Sequence, residues 1–268
     1  MLTRMLGYFG RVFPQLKRAF WSRLYERMAR DRDPEWLFMN YGFVDAASPA
    51  PVLEPADEHD RLAIQLYHHV IDTGELPGKD VLEVGCGRGG GVGYMARYLR
   101  PRFLVGLDLS PRALTLSRIR GHGQHVQFVC GDAQALPFPP ARFDAVVNVE
   151  SSHCYPVMEN FLAEVFRVLR PGGLLLYADL RFHEAVGRLQ TQVRAPGFRV
   201  LRERDITRNV LRALELDTPR RAALINRKVP GVMQGSFQAF AGMAGTRFYE
   251  MLAHGRGAYL SFVLQKPA

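Results

Sequence analysis

The run Glu83-Val84-Gly85-Cys86-Gly87-Arg88-Gly89-Gly90-Gly91 sets an acid ahead of alternating glycines. Glycine at Gly85, Gly87 and Gly89 lets the chain turn sharply and lets backbone N–H groups come close to a ligand. The pattern is acid-x-Gly-x-Gly-x-Gly rather than a clean Gly-x-Gly-x-x-Gly preceded by apolar residues, which marks dinucleotide sites. Two more acids follow at similar intervals, Asp108 and Asp132. One strand-end Asp reads as a helix cap or a surface charge.

The segment Asn148-Val149-Glu150-Ser151-Ser152-His153-Cys154-Tyr155-Pro156 is the second place where chemistry concentrates. His153 is a candidate base toward a substrate hydroxyl, because imidazole titrates near neutrality and an oxyanion is a far better nucleophile than an alcohol. The competing reading has His153 merely hydrogen-bonding a helix end or a bound cofactor. Tyr155 would wall the pocket or orient the nucleophile, and Cys154 reads as packing.

Such residues must be held by a scaffold, and the chain supplies a regular one. Short apolar runs at Val81–Val84, Phe103–Leu107, Val126–Val129, Phe143–Val147 and Gly173–Tyr177 are separated by helical stretches. Runs buried on both faces are what parallel strands of an α/β sheet look like. The alternation predicts a Rossmann-like, doubly wound, mostly parallel seven-stranded sheet, with Phe198–Leu201 and Tyr259–Leu264 as its last strands. Both chemical segments then fall at the carboxyl edge of the sheet, where ligands bind. A helix is expected over about 58–73, and helices over Thr207–Arg227 and Phe237–His254. The expected division is a basic helical extension over 1–57 and a main domain over 58–268, with a helical lid inserted at about 204–256.

With the scaffold in place, residues 58–180 resemble the class I S-adenosylmethionine-dependent methyltransferase family. The resemblance implies that Gly85, Gly87 and Gly89 line the cofactor's amino-acid portion, with Glu83 at the base of the loop. It implies that Asp108 holds the ribose hydroxyls, both of which are donors that a carboxylate can accept. Leu109 would edge the adenosine, and Asp132 and Ala133 would contact the adenine. Leu136-Pro137-Phe138 and Pro171-Gly172-Gly173 are similar to later family motifs, although the latter also reads as a helix stop. The Asn-Pro-Pro-Tyr motif of many amino-methylating members is absent; Asn148-Val149-Glu150-Ser151 stands there, and Asn148 is placed with the cofactor residues. Glu150–Pro156 with Tyr177-Ala178-Asp179-Leu180-Arg181 resembles a bacterial subgroup of phthiotriolone-type and fatty-acid O-methyltransferases. That implies SN2 methyl transfer from S-adenosylmethionine, without a metal, to oxygen on a lipid, polyketide or aromatic acceptor. C-methylation of an electron-rich arene is the nearest alternative chemistry. Tyr41, Phe43, Phe237 and Phe240 are candidate walls of the acceptor pocket, since aromatic side chains suit an apolar ligand.

Composition narrows the remaining classes. The 268 residues carry a net charge of +9, and residues 1–30 hold seven basic residues against Glu26 alone. Leu2, Met5, Leu6, Phe9, Val12 and Phe13, then Leu16, Phe20, Leu24 and Met28, recur at helical spacing around Pro14. Two amphipathic basic helices are expected, serving as a lid, a homodimer interface or a peripheral membrane contact. No RNA-recognition signature accompanies the charge, so no nucleic-acid partner is expected. No apolar run reaches the roughly 18 residues of a membrane span, and no signal-peptide pattern opens the chain, which makes cytoplasmic residence the expectation. Cys86, Cys130 and Cys154 show no C-x-x-C spacing and indicate neither a disulfide nor a zinc site. Two rivals of other classes are a nicotinamide-dependent oxidoreductase and a non-catalytic module that binds S-adenosylmethionine.

Overall fold

β1 (Asp80–Val84) is buried at all five positions because it lies at the centre of a sheet covered on both faces. Successive side chains of a strand point to opposite faces, so Val81 joins one hydrophobic core and Leu82 the other. The computed structural model describes residues 36–47, 50–72, 76–120 and 123–268. Residues 1–30, and with them the expected basic helices and their lid, dimer or membrane roles, lie outside the described residues.

The remaining strands are β2 (Phe103–Asp108), β3 (Val126–Cys130), β4 (Phe143–Val149), β5 (Leu169–Phe182), β6 (Arg199–Asp205) and β7 (Gly257–Gln265). They form one seven-stranded sheet in the order β3-β2-β1-β4-β5-β7-β6. β1 to β5 pair in parallel, and β7 runs antiparallel to both β5 and β6. The chain winds outward from β1 through β2 to β3, then returns to lay β4 on the other flank of β1. That reversal opens a crevice beyond the carboxyl ends of β1 and β4.

Helices cover the two faces. α1 (Arg61–Ile71) and α2 (Gly90–Tyr94), which continues as a π-turn to Leu99, pack on one side with Ile64, Leu66, Val92 and Met95. α4 (Met158–Val168) packs on the other through Phe161, Leu162 and Val165. α3 (Pro111–Ile119) follows β2, and α5 (His183–Gln192) follows β5. Between β6 and β7 stand α6 (Thr207–Lys228), α7 (Gly231–Phe240) and α8 (Arg247–Ala253). The stretch 237–254, expected to be helical, is not a single helix. Gly242 at φ +65° and Gly245 at φ +80° break it, since left-handed backbone cannot continue a right-handed helix. Pro171-Gly172-Gly173 does not precede a strand either; it is a bulge inside β5, where the β4 register moves from Phe143↔Leu169 to Ala145↔Leu174. Among the described residues no helix is long and apolar enough to cross a membrane.

At the amino ends of the strands, away from the crevice, Asp80 draws three guanidinium groups together. Arg102, Arg142 and Arg170 lie 2.8, 2.7 and 2.9 Å from its carboxylate. Their hydrogen bonds, led by that of Arg102, hold the Asp80 carboxyl well below the usual range.

Candidate active site

The glycine turn leaves β1 with its backbone tied to β2. Gly85 and Cys86 donate to the Leu107 carbonyl at 2.8 and 3.0 Å. Gly85, Gly87 and Gly89 have φ of +77°, +52° and +82°, a region that side chains avoid. Space reinforces conformation at Gly85, where a Cβ would stand 1.9 Å from Ser151 Oγ and 3.1 Å from the Tyr155 hydroxyl. The following glycines answer to other neighbours. A Cβ at Gly89 would strike Ser117, one at Gly90 the Phe38 ring, and one at Gly91 the Tyr67 ring and Glu83. The run therefore serves two purposes: its first half bares backbone toward the crevice, and its second half lets α1 and the segment 36–43 pack tightly.

Asp108 ends β2 with each carboxylate oxygen engaged by backbone, Oδ2 by the Gly87 N–H and Oδ1 by the Ser110 N–H, both at 2.8 Å. Asp108 thus fixes the glycine turn and the start of α3, where Ser110 Oγ caps the Ala113 N–H at 3.1 Å. Asp132 holds the next loop by accepting from the Gln134 N–H at 3.0 Å.

A cavity of about 240 Å³ opens between these loops. Gly85, Gly87, Asp108, Leu109, Asp132 and Ala133 line it on the side of β1 to β3. His153 and Tyr155 line it beyond β4, and Tyr41, Phe237 and Phe240 close it on the helical side. Four expected site residues stand elsewhere. Glu83 is 1% exposed and lies behind the turn, where Oε1 accepts the Tyr67 hydroxyl at 2.7 Å; burial pushes its carboxyl up to about 7. Gly89 turns the chain into α2 against Ser117. Asn148 is fully buried and donates to the Val84 carbonyl at 2.8 Å and to the Tyr155 hydroxyl at 3.1 Å, so it supports the loops from below. Phe43 belongs to the core, stacked on the His69 ring at 4.2 Å.

Tyr155 has a more specific place than its sequence suggests. Its hydroxyl lies 2.7 Å from Ser151 Oγ, directly against Gly85. It braces the loop after β4 on the glycine turn.

A network of charged and polar groups stands behind His153, which lines the cavity. Its Nδ1 lies 2.8 Å from Asp179 Oδ1, and its backbone N–H donates to Asp179 Oδ2 at 2.8 Å. Ser152 Oγ donates to Oδ2 at 2.6 Å, the Leu180 N–H to Oδ1 at 2.8 Å, and Arg181 stands 3.2 Å away. Asp179 is fully buried. Burial alone would raise its pKa, but the His153 and Arg181 charges and these hydrogen bonds hold it well below the usual carboxylate range. Burial alone would likewise lower the imidazole, yet the Cys154 sulfur and the Asp179 carboxylate outweigh it and hold His153 well above its ordinary value. In the neutral ring, a proton on Nδ1 directed at the carboxylate would leave Nε2 as the accepting nitrogen. Asp179 was part of a recognisable motif in the sequence but had no role there; the parallel pairing Val149↔Ala178 is what brings the loop after β4 to the end of β5.

The strand order, the crevice at its switch point and the acid-flanked glycine turn define a Rossmann-like S-adenosylmethionine-dependent methyltransferase. Residues 82–177 match the family model for a methyltransferase domain. The chain is 37% identical over 267 residues to the phthiotriol/phenolphthiotriol dimycocerosates methyltransferase of Mycobacterium leprae, covering 96% of this chain and 99% of that protein. It is 38% identical over 239 residues to the fatty-acid O-methyltransferase of Mycolicibacterium smegmatis, covering 89% and 86%. Geranyl diphosphate C-methyltransferase from Streptomyces coelicolor A3(2), solved with Mg2+, geranyl diphosphate and S-adenosyl-L-homocysteine, shares the fold with a TM-score of 0.66 at 16% identity, over 93% of this chain and 98% of that one. The chain belongs to the methyltransferase family that includes the two mycobacterial enzymes.

Proposed function

We propose that this methyltransferase acts on a hydroxyl group of a largely apolar small molecule, a lipid or polyketide product, with His153 taking the hydroxyl proton. The observation that carries the reading is the His153–Asp179 pair at 2.8 Å in the wall of the cavity. An alcohol must lose its proton to become a good nucleophile, whereas a carboxylic acid is already ionised at neutral pH and needs no base. A built base therefore favours a hydroxyl acceptor over a carboxylate.

The cradle suits the cofactor by its chemistry. Gly85 and Gly87 present backbone without side chains, Asp108 supplies the carboxylate for ribose hydroxyls, and Leu109, Asp132 and Ala133 border the adenine end. When bound, S-adenosylmethionine supplies an activated, cationic methyl donor. The chain's own work is then to align and to deprotonate. Asp179 fixes the imidazole and stabilises its protonated form, while Tyr155 and Ser151 keep the loop after β4 pressed on Gly85. Phe237, stacked on Trp36 at 6.4 Å, and Phe240 offer an apolar wall to the acceptor. The names of the two mycobacterial relatives, one acting on phthiotriol-type compounds and one on fatty acids, support a lipid-like acceptor.

The test is transfer of labelled methyl from S-adenosylmethionine to an aliphatic alcohol, a phenol and a fatty acid of matched chain length, in the wild type and His153→Ala. Alcohol or phenol methylation that falls steeply in the variant supports the reading. Methylation confined to the fatty acid and insensitive to His153 would overturn it.

A further inference from the structure

The residues Trp36 to Tyr41 all line the cavity, so the segment 36–43 forms part of its roof. Several elements hold that roof. Arg221 of α6 donates to the Asn40 carbonyl at 3.0 Å, Asn40 Nδ2 donates to the Ala63 carbonyl at 3.2 Å, and the Tyr41 hydroxyl donates to the Phe240 carbonyl at 3.1 Å. A further hold comes from the loop that carries His153. Glu150 Oε1 accepts the Tyr41 backbone N–H at 2.7 Å and, on the same oxygen, the Tyr259 hydroxyl at 2.7 Å. Tyr259 is fully buried in β7, so it gives the carboxylate a fixed point of attachment.

The backbone at Glu150 points the same way. Its φ of +48° lies in the left-handed region, where glycine or asparagine costs least and glutamate is strained. A strained non-glycine residue beside a ligand cavity persists where its side chain is used. The Glu150 N–H donates to the Ala178 carbonyl at 2.9 Å, which pins this conformation one residue before Asp179.

We propose that Glu150 is a positioning residue that clasps the segment 36–43 over the cavity and so governs how long the cofactor product stays bound. The proposal rests on the cofactor reading for its second half only; the clasp itself exists without ligand. Opening of a roof and release of product set the turnover of many enzymes.

Trp36 provides the readout, because the chain has only two tryptophans and replacing Trp21 by Phe leaves Trp36 as the sole tryptophan, excited selectively where tyrosine does not absorb. In that background, acrylamide quenching of Trp36 is measured in the ligand-free protein for the parent, Glu150→Gly and Glu150→Gln. Glycine removes the carboxylate yet suits the left-handed backbone, so the variant keeps its fold; glutamine retains a carbonyl oxygen that can accept both donors. Glu150→Gly raises the quenching constant about twofold or more as the roof opens locally, and Glu150→Gln stays near the parent. Stopped-flow release of S-adenosylhomocysteine is then about tenfold faster in Glu150→Gly, the change lying in the off-rate. Unchanged quenching in Glu150→Gly, or a Gln variant as open as the Gly variant, overturns the clasp. Altered quenching with an unaltered release rate overturns the residence-time half. Absence of S-adenosylhomocysteine binding in the parent would instead strike the cofactor reading, and the ligand-free quenching would still judge the clasp.

Discussion

His153 Nδ1 and Asp179 Oδ1 stand 2.8 Å apart, joining the loop after β4 to the end of β5. The pair has a directional consequence for pH dependence. An imidazole held above its ordinary value keeps its proton to higher pH and must lose it before it can act as a base. The rate kcat/KM should rise with pH through the His153 pKa, above the ordinary value of about 6.5. Asp179→Asn removes the anion that favours imidazolium, so the rising limb moves to lower pH while the plateau falls. His153→Ala lowers kcat by roughly 10²- to 10⁴-fold, the usual worth of a positioned base. A limb that does not move in Asp179→Asn would dissociate the pair from catalysis.

The same pair affects stability with a fixed sign. Because His153 binds its proton more tightly when folded, its contribution is fully present below the unfolded value near 6.5 and is lost as pH rises through the folded value. Thermal melts of the wild type against His153→Ala should therefore differ most at low pH and converge at high pH.

Asp108 is expected to carry cofactor affinity. Hydrogen bonds to a charged group contribute about 1.5–3 kcal/mol each, so Asp108→Ala should weaken S-adenosylhomocysteine binding by roughly tenfold to more than a hundredfold. Calorimetric titration measures this directly. An unaltered dissociation constant would remove Asp108 from the site.

Gly85 tests the geometry of the turn. Gly85→Ala places a methyl 1.9 Å from Ser151 Oγ and 2.5 Å from its Cβ, at φ +77°. Cofactor binding should fall sharply. Adding Ser151→Gly removes both contacts and should recover part of the affinity, the remainder being the backbone strain. No recovery in the double variant would show that Ser151 is not what excludes a side chain there.

Asp80 predicts the opposite separation of stability from function. Its arginine partners are a third to more than half exposed, so the network is discounted for solvent. Asp80→Asn should cost on the order of 1–3 kcal/mol, lowering Tm by roughly 2–4 °C per kcal/mol for a chain of this size. S-adenosylhomocysteine affinity should be unchanged, because Asp80 lies at the far end of β1 from the glycine turn.

The sequence alone determined the sheet, the glycine turn and the three loops that border the cavity. These are properties of short segments: apolar runs make strands, buried at the centre of the sheet and partly exposed at its edges β3 and β6, glycines mark left-handed turns, and strand ends with acids mark the ligand edge. Tertiary structure decided what depended on residues far apart in the chain. The partnership of His153 with Asp179 needs the β4–β5 register. Glu83 and Asn148 look like ligand residues by position, but packing against Tyr67 and beneath Val84 turns them away from the cavity. Phe43 and Phe237 are alike as aromatic residues, and only the placement of α1, α6 and α7 sends one to the core and the other to the cavity wall. The clasp between Tyr41 and Glu150 spans 109 residues, a distance over which no local pattern in the sequence carries information.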